Sequence, residues 1–322
     1  MSEVMNKFQA PWWLRNRHLQ TVWSTLFFRA PELSPRRERF ELGDGDFLDL
    51  DWVGGESGPI VVVLHGLMGS ISSPYAWGIL RAIKQRGWRG LFVHFRGCSG
   101  EPNRLPRAYH SGDTGDLAAV IEEMHRREPE VRMAAVGYSL GGNALLKWLS
   151  ETGKTNPLGA AVAISVPFEI EQVANSINRG LSRIYERRLT RCLQKALLQK
   201  IDLCGDAIPV TRERVAELDD FWSFDNEVTA PLHGFADARD YYTKSSARQY
   251  LPGIETPTLI VHAKDDPFMT PDVVPTPDEI SATTTLEVSE QGGHVGFIEG
   301  SWPWTTRCWL EERIPAFLGD YL

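Results

Sequence analysis

The sequence predicts an α/β fold in which helices flank a mostly parallel sheet and a helical segment is inserted over one end of that sheet. Three observations predict this fold. Short β-branched runs alternate with longer amphipathic stretches, one run passes through a glycine-rich turn into a helical stretch, and one connection is much longer than the others. The alternation is typical of parallel strands joined by crossover helices.

Eight segments are predicted as strands. The first two form a hairpin around Gly43, Asp44 and Gly45, because glycine and aspartate favour tight turns between paired strands. The other six are short, apolar and bounded by glycine, proline or polar residues, which indicates buried parallel strands. In chain order the predicted strands are Arg39–Leu42, Phe47–Trp52, Ile60–Leu64, Gly90–Phe95, Arg132–Val136, Ala160–Ser165, Thr258–His262 and Thr284–Val288.

Helices are predicted where apolar residues recur at three- and four-residue spacing. Asp113 and Thr114 stand at the start of one such stripe and are candidate caps for its first turn. In the last stripe, Pro303 falls in the first turn, where proline is tolerated, and Pro315 is expected to kink or end the helix. The four predicted helices are Ala76–Arg86, Asp113–Arg127, Leu140–Ser150 and Trp302–Leu318.

The long connection predicts an insertion. More than 90 residues separate Ser165 from Thr258, whereas a crossover between neighbouring parallel strands needs only a helix and short loops. Because the pattern in this stretch is largely helical, residues 169–250 are predicted to form a helical cap. Residues 1–168 and 251–322 then form the core, with residues 1 to about 35 as an N-terminal arm.

The turn at residues 137–142 is the first candidate functional element. The strand Arg132–Val136 runs into the sequence GYSLGG, and a helical pattern follows at once. This is G-x-S-x-G in the strand, turn, helix context of a nucleophile elbow. A serine at the tip of so sharp a turn has a strained backbone, and glycine neighbours let the strand and the helix approach each other. Ser139 is therefore the candidate nucleophile.

An elbow serine needs a base, and the base needs an acid, in the chain order Ser, Asp or Glu, His. Candidates for both follow later strands, at the sheet edge where open α/β folds build their sites. His294 lies in a glycine-rich loop after the last strand, and Asp265 and Asp266 follow the strand before it. We predict Asp266 as the acid, since it lies further along the loop and Pro267 fixes the backbone after it. Asp265 is the alternative.

The loop HGLMGS at residues 65–70 follows the first buried strand. Charge that develops on a substrate oxygen during acyl transfer is stabilised by one amide of this loop and one from the residue after the nucleophile. The backbone N–H groups of Leu67 and Leu140 are therefore predicted to form an oxyanion hole. His65 is interpreted as a buried hydrogen-bonding residue that shapes the loop, in preference to a catalytic base.

Two other groups of reactive side chains receive structural interpretations. Cys98 follows a strand but is paired with no histidine by any pattern, so a small residue in a tight turn is favoured over a thiol nucleophile. His110, Asp113 and Asp116 form a candidate metal cluster, but their position at a helix start favours capping. No metal or organic cofactor is predicted.

Composition excludes several classes of protein. The 322 residues include 34 Lys and Arg against 42 Asp and Glu, a net charge of −8 that argues against nucleic-acid binding. The apolar runs are far shorter than the roughly 20 residues that span a bilayer. Glu3, Lys7 and Gln9 precede any apolar run, unlike a secretory signal, and the four cysteines lie far apart. A cytoplasmic location with reduced thiols is predicted.

Peripheral membrane contact is an open alternative for the cap and for the arm. The segment Arg179–Lys200 of the cap holds seven basic residues and one acidic residue, with apolar residues near helical spacing. Packing on the core is favoured for both segments, because large exposed apolar patches are unusual on soluble monomers. The aromatic residues of the arm are Trp12, Trp13, Trp23, Phe27 and Phe28.

Further motifs lie in order over nearly the whole chain. They are HLQT at 18–21, HGLMGS at 65–70, FRGCSG at 95–100, YHSGDTGDL at 109–117, GYSLGGN at 137–143, PLHGF at 231–235, DYY at 240–242, DDPF at 265–268 and GGHVGF at 292–297. With these motifs the chain resembles an α/β-hydrolase and, more narrowly, the YheT-like branch of that superfamily. The resemblance implies a helical cap, the triad Ser139, Asp266 and His294, and activity on carboxylic esters, in some members acylglycerols. Related eukaryotic members include acyl transferases to alcohols.

The predicted function is that of a serine carboxylic ester hydrolase, which acts on short- to medium-chain acyl esters through an acyl-enzyme on Ser139. Its expected partner is a small-molecule acyl ester. Two alternatives remain: an acyltransferase that passes the acyl group to an alcohol, and a non-catalytic binding protein that keeps the fold. The second is disfavoured, because a strained serine and its partners are costly to retain without a use.

Overall fold

A computed structural model describes residues 7–30 and 33–322. Residues 1–6, which include Glu3, and residues 31–32 of the predicted arm lie outside the described residues. All eight predicted strands are present, each with bounds within three residues of the prediction, and a two-stranded hairpin follows them. The strands are β1 Arg36–Glu41, β2 Phe47–Val53, β3 Ile60–Leu64, β4 Arg89–Val93, β5 Met133–Tyr138, β6 Leu158–Ile164, β7 Thr258–Ala263, β8 Thr284–Ser289, β9 Ile298–Glu299 and β10 Arg307–Cys308.

The order of strands across the main sheet is β1-β2-β4-β3-β5-β6-β7-β8. The strands from β4 to β8 in this order are parallel, β2 joins β4 in the antiparallel direction, and β1 is the hairpin partner of β2. The carboxyl ends of the parallel strands therefore meet at one edge. Ligand sites of open α/β sheets are built at this edge, and the loops after β3, β5, β7 and β8 carry the predicted functional residues.

Helices flank the sheet and fill the long connection between β6 and β7. The first three predicted helices are confirmed as α2, α3 and α4. Among the helices of the described residues, none has both the length and the apolar content needed to cross a bilayer. The helices are α1 Arg17–Phe27, α2 Pro74–Gln85, α3 Gly115–Arg127, α4 Leu140–Thr152, α5 Ile170–Ile177, α6 Arg183–Cys204, α7 Arg212–Val215, α8 Phe221–Phe224, α9 Ala230–His233, α10 Ala238–Ser245 and α11 Leu310–Leu318.

The predicted terminal helix Trp302–Leu318 is wrong over its first half. This stretch forms a 3₁₀ turn and strand β10, and α11 begins at Leu310. Gly300 has a φ of +128°, which residues with a side chain rarely adopt, and it lets the chain reverse so that β10 pairs with β9. Pro315 lies inside α11 and does not end it.

The central strands of the main sheet are buried on both faces, and their side chains alternate between the two sides of the sheet. On β3, Val62 and Leu64 pack with residues of α3 and α4, whereas Val61 and Val63 pack with residues of α2 and α11. All four side chains are fully buried. Two apolar layers therefore fix the central strands, and the loops at their carboxyl ends start from rigid positions.

The start of α3 differs from the capping prediction. Thr114 makes no capping hydrogen bond with its side chain to any described residue, and the carboxylates pair with arginines instead. Asp116 accepts two hydrogen bonds of 2.7 Å from the buried Arg96, whose guanidinium also donates to Asp46 at 3.1 Å. Asp113 accepts from a neighbouring arginine. Bidentate, charge-assisted bonds of this kind are stronger than a neutral cap.

Helices α5 to α10 lie over the carboxyl edge of the sheet. Lys200 on α6 donates from Nζ to Asn103 O at 2.9 Å, in the loop after β4. Tyr241 on α10 donates from its hydroxyl to Ser111 Oγ at 3.0 Å in the same long loop. These contacts hold the inserted helices against the loops that leave the sheet.

Candidate active site

Ser139 lies at the turn between β5 and α4, with φ +50° and ψ −117°. Residues with a side chain persist in such a conformation only where the surrounding structure holds them. Here the Ser139 N–H donates to Ile164 O on β6 at 2.8 Å, and Ser139 O accepts from the Asn143 N–H at 3.0 Å. The neighbouring strand and the following helix therefore hold the serine at the tip of the turn.

The glycines of the motif are required by close contacts between backbones. A Cβ at Gly137 would lie 2.6 Å from Gly141 O, and a Cβ at Gly141 would lie 2.5 Å from His65 O. Neither distance leaves room for a methyl group, so a side chain at either position would push β5, α4 and the loop after β3 apart. The G-x-S-x-G pattern thus reflects the packing that brings Ser139 next to that loop.

His294 and Asp266 form a close pair on the neighbouring loops. The Nδ1 atom of His294 lies 2.7 Å from Oδ2 of Asp266, whose side chain is fully buried. The other oxygen of Asp266 accepts from the Phe268 N–H at 2.8 Å. When Nδ1–H donates to Asp266, the tautomer leaves Nε2 free to accept a proton, as a general base requires.

The adjacent Asp265 has a different contact. Its Oδ1 accepts from the Gly293 N–H at 2.9 Å and thereby holds the backbone of the histidine loop. Burial raises the pKa of Asp265, and the charge of Asp266 beside it acts in the same direction. The geometry therefore brings Asp266, and not Asp265, to the imidazole ring.

Phe268 and the N-terminal helix also position the histidine, although sequence reasoning assigned no role to them. The Phe268 ring stacks on the His294 ring with centroids 4.0 Å apart and an interplanar angle of 8°. Thr21 Oγ1 on α1 accepts from the His294 N–H at 2.9 Å. Gln20 accepts from the Ile298 N–H at 2.8 Å through its side-chain oxygen. These residues lie in the motifs DDPF and HLQT, which were the features of the sequence that could have pointed to them.

Ser139 and His294 form no hydrogen bond with each other among the described residues, but both border one cavity. In free enzymes such contacts are often long and tighten only when the substrate binds. This cavity, which we call the histidine cavity, has a volume of about 470 Å³. Besides the two catalytic candidates, its lining includes Ser70, Ser72, Tyr185 and Arg188.

A second cavity meets the first at Ser139 and extends beneath the inserted helices. It has a volume of about 160 Å³, and His294 is not among the residues that line it. We call it the apolar cavity because aliphatic and aromatic side chains dominate its lining. They include Leu189, Leu193, Leu197, Phe224, Val228 and Leu232.

The loop after β3 lies directly beside the serine. A Cβ at Gly66 would be 3.3 Å from Ser139 Cβ. The N–H groups of Gly66 and Met68 donate to the hydroxyls of Tyr75 and Tyr109, at 3.1 and 2.8 Å. Between them, the Leu67 N–H has no acceptor within the described part of the chain. Leu140 is the first residue of α4. Its N–H has no partner within the helix, as is general for the first N–H groups of a helix.

His65 is buried and shapes this loop, as predicted. Its Nε2 accepts from the Phe95 N–H at 3.1 Å, and its Nδ1 lies 2.6 Å from Gly66 O. Burial lowers the pKa of His65 to about 3, so the ring is neutral. Burial also raises the pKa of the Cys98 thiol to about 12, which keeps it protonated and unsuited to nucleophilic attack.

Comparison with known proteins agrees with this architecture. The family described as "alpha/beta hydrolase fold" matches residues 59–301. "Putative esterase YheT" of Escherichia coli (strain K12) is 43% identical over 311 residues, which cover 95% of this chain and 91% of that protein. "Phospholipase ABHD3" of Mus musculus is 28% identical over 94% of this chain and 75% of its own length.

A solved structure shares the fold at low sequence identity. The Pyrococcus furiosus esterase Pf2001 superposes with a TM-score of 0.61 at 16% identity, over 90% of this chain and 91% of that one. The family match and the identity to the Escherichia coli relative, together with the elbow and its neighbouring loops, establish the classification. The chain belongs to the α/β-hydrolase family, in its YheT-like branch.

Proposed function

We propose that this protein is a serine carboxylic ester hydrolase that works through an acyl-enzyme on Ser139. The observation that carries the proposal is the combination of a serine at a strained elbow with the Asp266–His294 pair, where Ser139 and His294 border the same cavity. The names of its relatives, an esterase and a phospholipase, support ester hydrolysis. In this proposal residues 169–250 act as the cap over the site.

The proposed reaction has two halves. Ser139 Oγ attacks the ester carbonyl while His294 Nε2 takes its proton, and Asp266 stabilises the imidazolium. The N–H groups of Leu67 and Leu140 stabilise the oxyanion. The alkoxide then leaves with the proton from His294, and a water molecule deprotonated by His294 releases the acid and restores the serine.

The two cavities support a proposed placement for the two parts of the substrate. We place the leaving alcohol in the histidine cavity, because His294 protonates the leaving oxygen. His294 lines this cavity and does not line the apolar cavity. The acyl chain then occupies the apolar cavity of about 160 Å³. An engineered protein cavity of about 150 Å³ binds benzene, which has six carbons. We therefore expect the highest turnover with acyl chains from butyryl to octanoyl.

Hydrolysis of p-nitrophenyl esters from acetyl to palmitoyl tests the proposal, with wild type and Ser139→Ala compared side by side. Both proteins are also treated with a fluorophosphonate, and the labelled residue is mapped by mass spectrometry. The proposal expects turnover and labelling at Ser139 in the wild type only. Equal turnover by Ser139→Ala, or a label at another residue, would reject the acyl-enzyme on Ser139. Absence of both in the wild type would favour the binding-protein alternative.

Acyl transfer to an alcohol is the second candidate. It is favoured by hydroxyl groups of Ser70, Ser72 and Tyr185 in the lining of the histidine cavity, where an acceptor alcohol would take the place of the leaving alcohol. Product analysis with added glycerol distinguishes the two reactions. A transferase gives mainly the glycerol ester, whereas a hydrolase gives mainly the free acid at the same total turnover.

A further inference from the structure

Helix α1 is amphipathic, and part of its apolar side is exposed. Leu19, Val22, Trp23 and Leu26 follow the spacing that places residues on one face of a helix. Leu19 is 46% exposed and Leu26 is 63% exposed, whereas Val22 and Trp23 are half-buried and Trp23 packs against the core. A surface helix of a globular protein normally buries its apolar stripe, but the residue that α1 buries fully is Gln20.

This partial exposure follows from the role of the polar side of α1. The side-chain nitrogen of Gln20 donates hydrogen bonds to Leu14 O and Ile298 O, both at 3.0 Å. The Thr21 hydroxyl accepts a hydrogen bond from the His294 N–H. A Cβ at Gly293 would lie 2.6 Å from Arg17 O, so helix and loop are in close backbone contact. The polar face is therefore committed to the histidine loop, and the exposed apolar residues Leu19, Leu26 and Phe27 are left for another contact.

The exposed apolar surface continues onto the start of α6. Leu181 and Ile184 are 64% and 65% exposed. The next residue, Tyr185, stacks on His18 of α1 with centroids 5.8 Å apart, which places the two helices side by side. We call this combined surface the apolar rim; its exposed members are Leu19, Leu26, Phe27, Leu181 and Ile184.

The apolar rim borders the opening of the histidine cavity. Thr21, Val22 and Phe28 from the α1 segment line this cavity, and so do Tyr185 and Arg188 from α6. A partner that covers the rim therefore lies directly against the route to Ser139. Exposed contiguous apolar surface with such a placement is characteristic of an interaction site.

The charges around the rim indicate the chemistry of the partner. Residues 7–30 contain four Lys and Arg and no Asp or Glu, although the whole chain has a net charge of −8. On α6, the stretch Arg183–Lys195 holds five basic side chains, and its acidic residue, Glu186, is buried. Within the described residues, Arg15, Arg17 and these five basic groups form no ion pair, whereas Arg212 and Arg214 just beyond α6 both pair with carboxylates.

We propose that the apolar rim and these basic groups bind the surface of a lipid bilayer that contains anionic lipids. Apolar side chains that enter the boundary of the acyl chains, flanked by lysine and arginine at the head groups, are the features of an interfacial amphipathic helix. A symmetric dimer through this surface fits less well, because the same patch on both copies would meet and bring like basic groups together. In this arrangement the histidine cavity opens towards the bilayer.

Co-sedimentation with vesicles tests the proposal without any turnover. The full chain is mixed with vesicles of phosphatidylcholine alone, or of phosphatidylcholine and phosphatidylglycerol in equal parts. Binding is expected to the anionic vesicles, and added salt weakens it because salt screens exposed charges. The Ser139→Ala protein is expected to bind equally well, since the rim is separate from the nucleophile.

Variants of the rim locate the binding surface. Leu26→Ser with Phe27→Ser should weaken vesicle binding at least about tenfold, because two large apolar side chains no longer enter the bilayer. The matched control is Leu203→Ser, an exposed leucine at the far end of α6, which should bind like the wild type. Turnover of a soluble p-nitrophenyl ester by the rim variant verifies that it is folded.

A second pair of variants tests the charges. Arg183→Gln with Arg191→Gln should weaken binding to anionic vesicles severalfold. Arg86→Gln with Arg126→Gln makes the same change in net charge near the amino ends of the strands and should have no effect. No binding of the wild type to anionic vesicles would overturn the proposal. Equal binding by the rim variant and its control would also overturn the proposal. So would a wild-type protein that is a dimer in solution and becomes a monomer when the rim residues are substituted.

Discussion

Asp265 and Asp266 are neighbours in the sequence, but their carboxylates have different partners. Asp266 lies against His294 Nδ1, and Asp265 accepts from a backbone N–H. We expect Asp266→Asn to lower kcat by roughly 10³- to 10⁴-fold, because the amide favours the wrong imidazole tautomer. Asp265→Asn keeps an oxygen for the backbone N–H and should lower kcat less than tenfold. Steady-state kinetics on p-nitrophenyl butyrate measure both; the opposite ranking would make Asp265 the acid.

A carboxylate in the lining of the apolar cavity makes stability depend on pH. Asp225 accepts from the hydroxyls of Tyr242 and Thr229 at 2.9 and 2.7 Å, and burial raises its pKa to about 6. The folded state therefore binds this proton more tightly than the unfolded state. Its contribution to the free energy of unfolding is largest at acid pH and is lost as the pH rises through 6, by about 3 kcal/mol in total.

Asp225→Asn removes this titration. Relative to the wild type, the variant should gain up to about 3 kcal/mol of unfolding free energy between pH 4 and pH 8, as measured by urea denaturation. Asp240→Asn is the control, and its stability relative to the wild type should change with pH in the opposite direction, because the Lys244 ammonium lowers the pKa of Asp240. A difference between wild type and Asp225→Asn that stays constant with pH would contradict the prediction.

Local sequence patterns identified the serine and the histidine directly, but the choice of Asp266 over Asp265 rested only on loop position and on Pro267. The elbow and the glycine loop singled out Ser139 and His294, since each lies in a distinctive local pattern. The choice of Asp266 over Asp265 depends on which carboxylate turns towards the ring, and this is decided by contacts across the loop. Thr21 lies in the motif HLQT, but nothing in that motif indicates its contact with His294, which is 273 positions away in the chain.

At the scale of the element, α1 acts as a support for the histidine loop. Thr21→Val removes the acceptor of the His294 N–H and leaves that group without a partner. We expect kcat to fall about tenfold, because the base is displaced from its position, with KM almost unchanged. Stability should fall by about 1–3 kcal/mol.

Thr21→Ser is the matched control, since it keeps the hydroxyl oxygen. It should restore most of kcat with the same soluble ester. If Thr21→Ser loses as much kcat as Thr21→Val, the methyl group and not the hydrogen bond is responsible, and the positioning role of Thr21 is wrong.

Strands were easier to predict than the C-terminal elements. Each central strand is a short apolar run that packs on both faces, so its pattern is distinctive. In contrast, the residues from 302 onward have apolar spacing that fits a helix, yet the pairing of β10 with β9 and the turn at Gly300 determine their structure. Such pairing depends on tertiary contacts that the local pattern does not contain.

At the scale of the molecule, a buried ionic network joins three parts of the core. The Arg96 guanidinium, after β4, pairs with Asp116 at the start of α3 and with Asp46 in the β1–β2 turn. Arg96→Met removes the buried positive charge that compensates these two carboxylates, so the free energy of unfolding should fall by about 3–5 kcal/mol. Urea denaturation measures this loss.

The exposed pair of Arg126 with Glu123 provides the comparison. Arg126→Met should change the free energy of unfolding by no more than about 0.5–1 kcal/mol, because exposed ion pairs contribute little. Similar losses for the two variants would mean that the Arg96 network does not join the core in the way described.

The contact between α1 and the histidine loop also has a consequence for synthesis of the protein. The ribosome makes Thr21 long before His294, since 273 positions separate them. A growing chain can therefore form the turn at Ser139 while it still lacks His294 and the loop that α1 supports. On the proposed mechanism, the base reaches its position only late in translation, when these two distant segments meet.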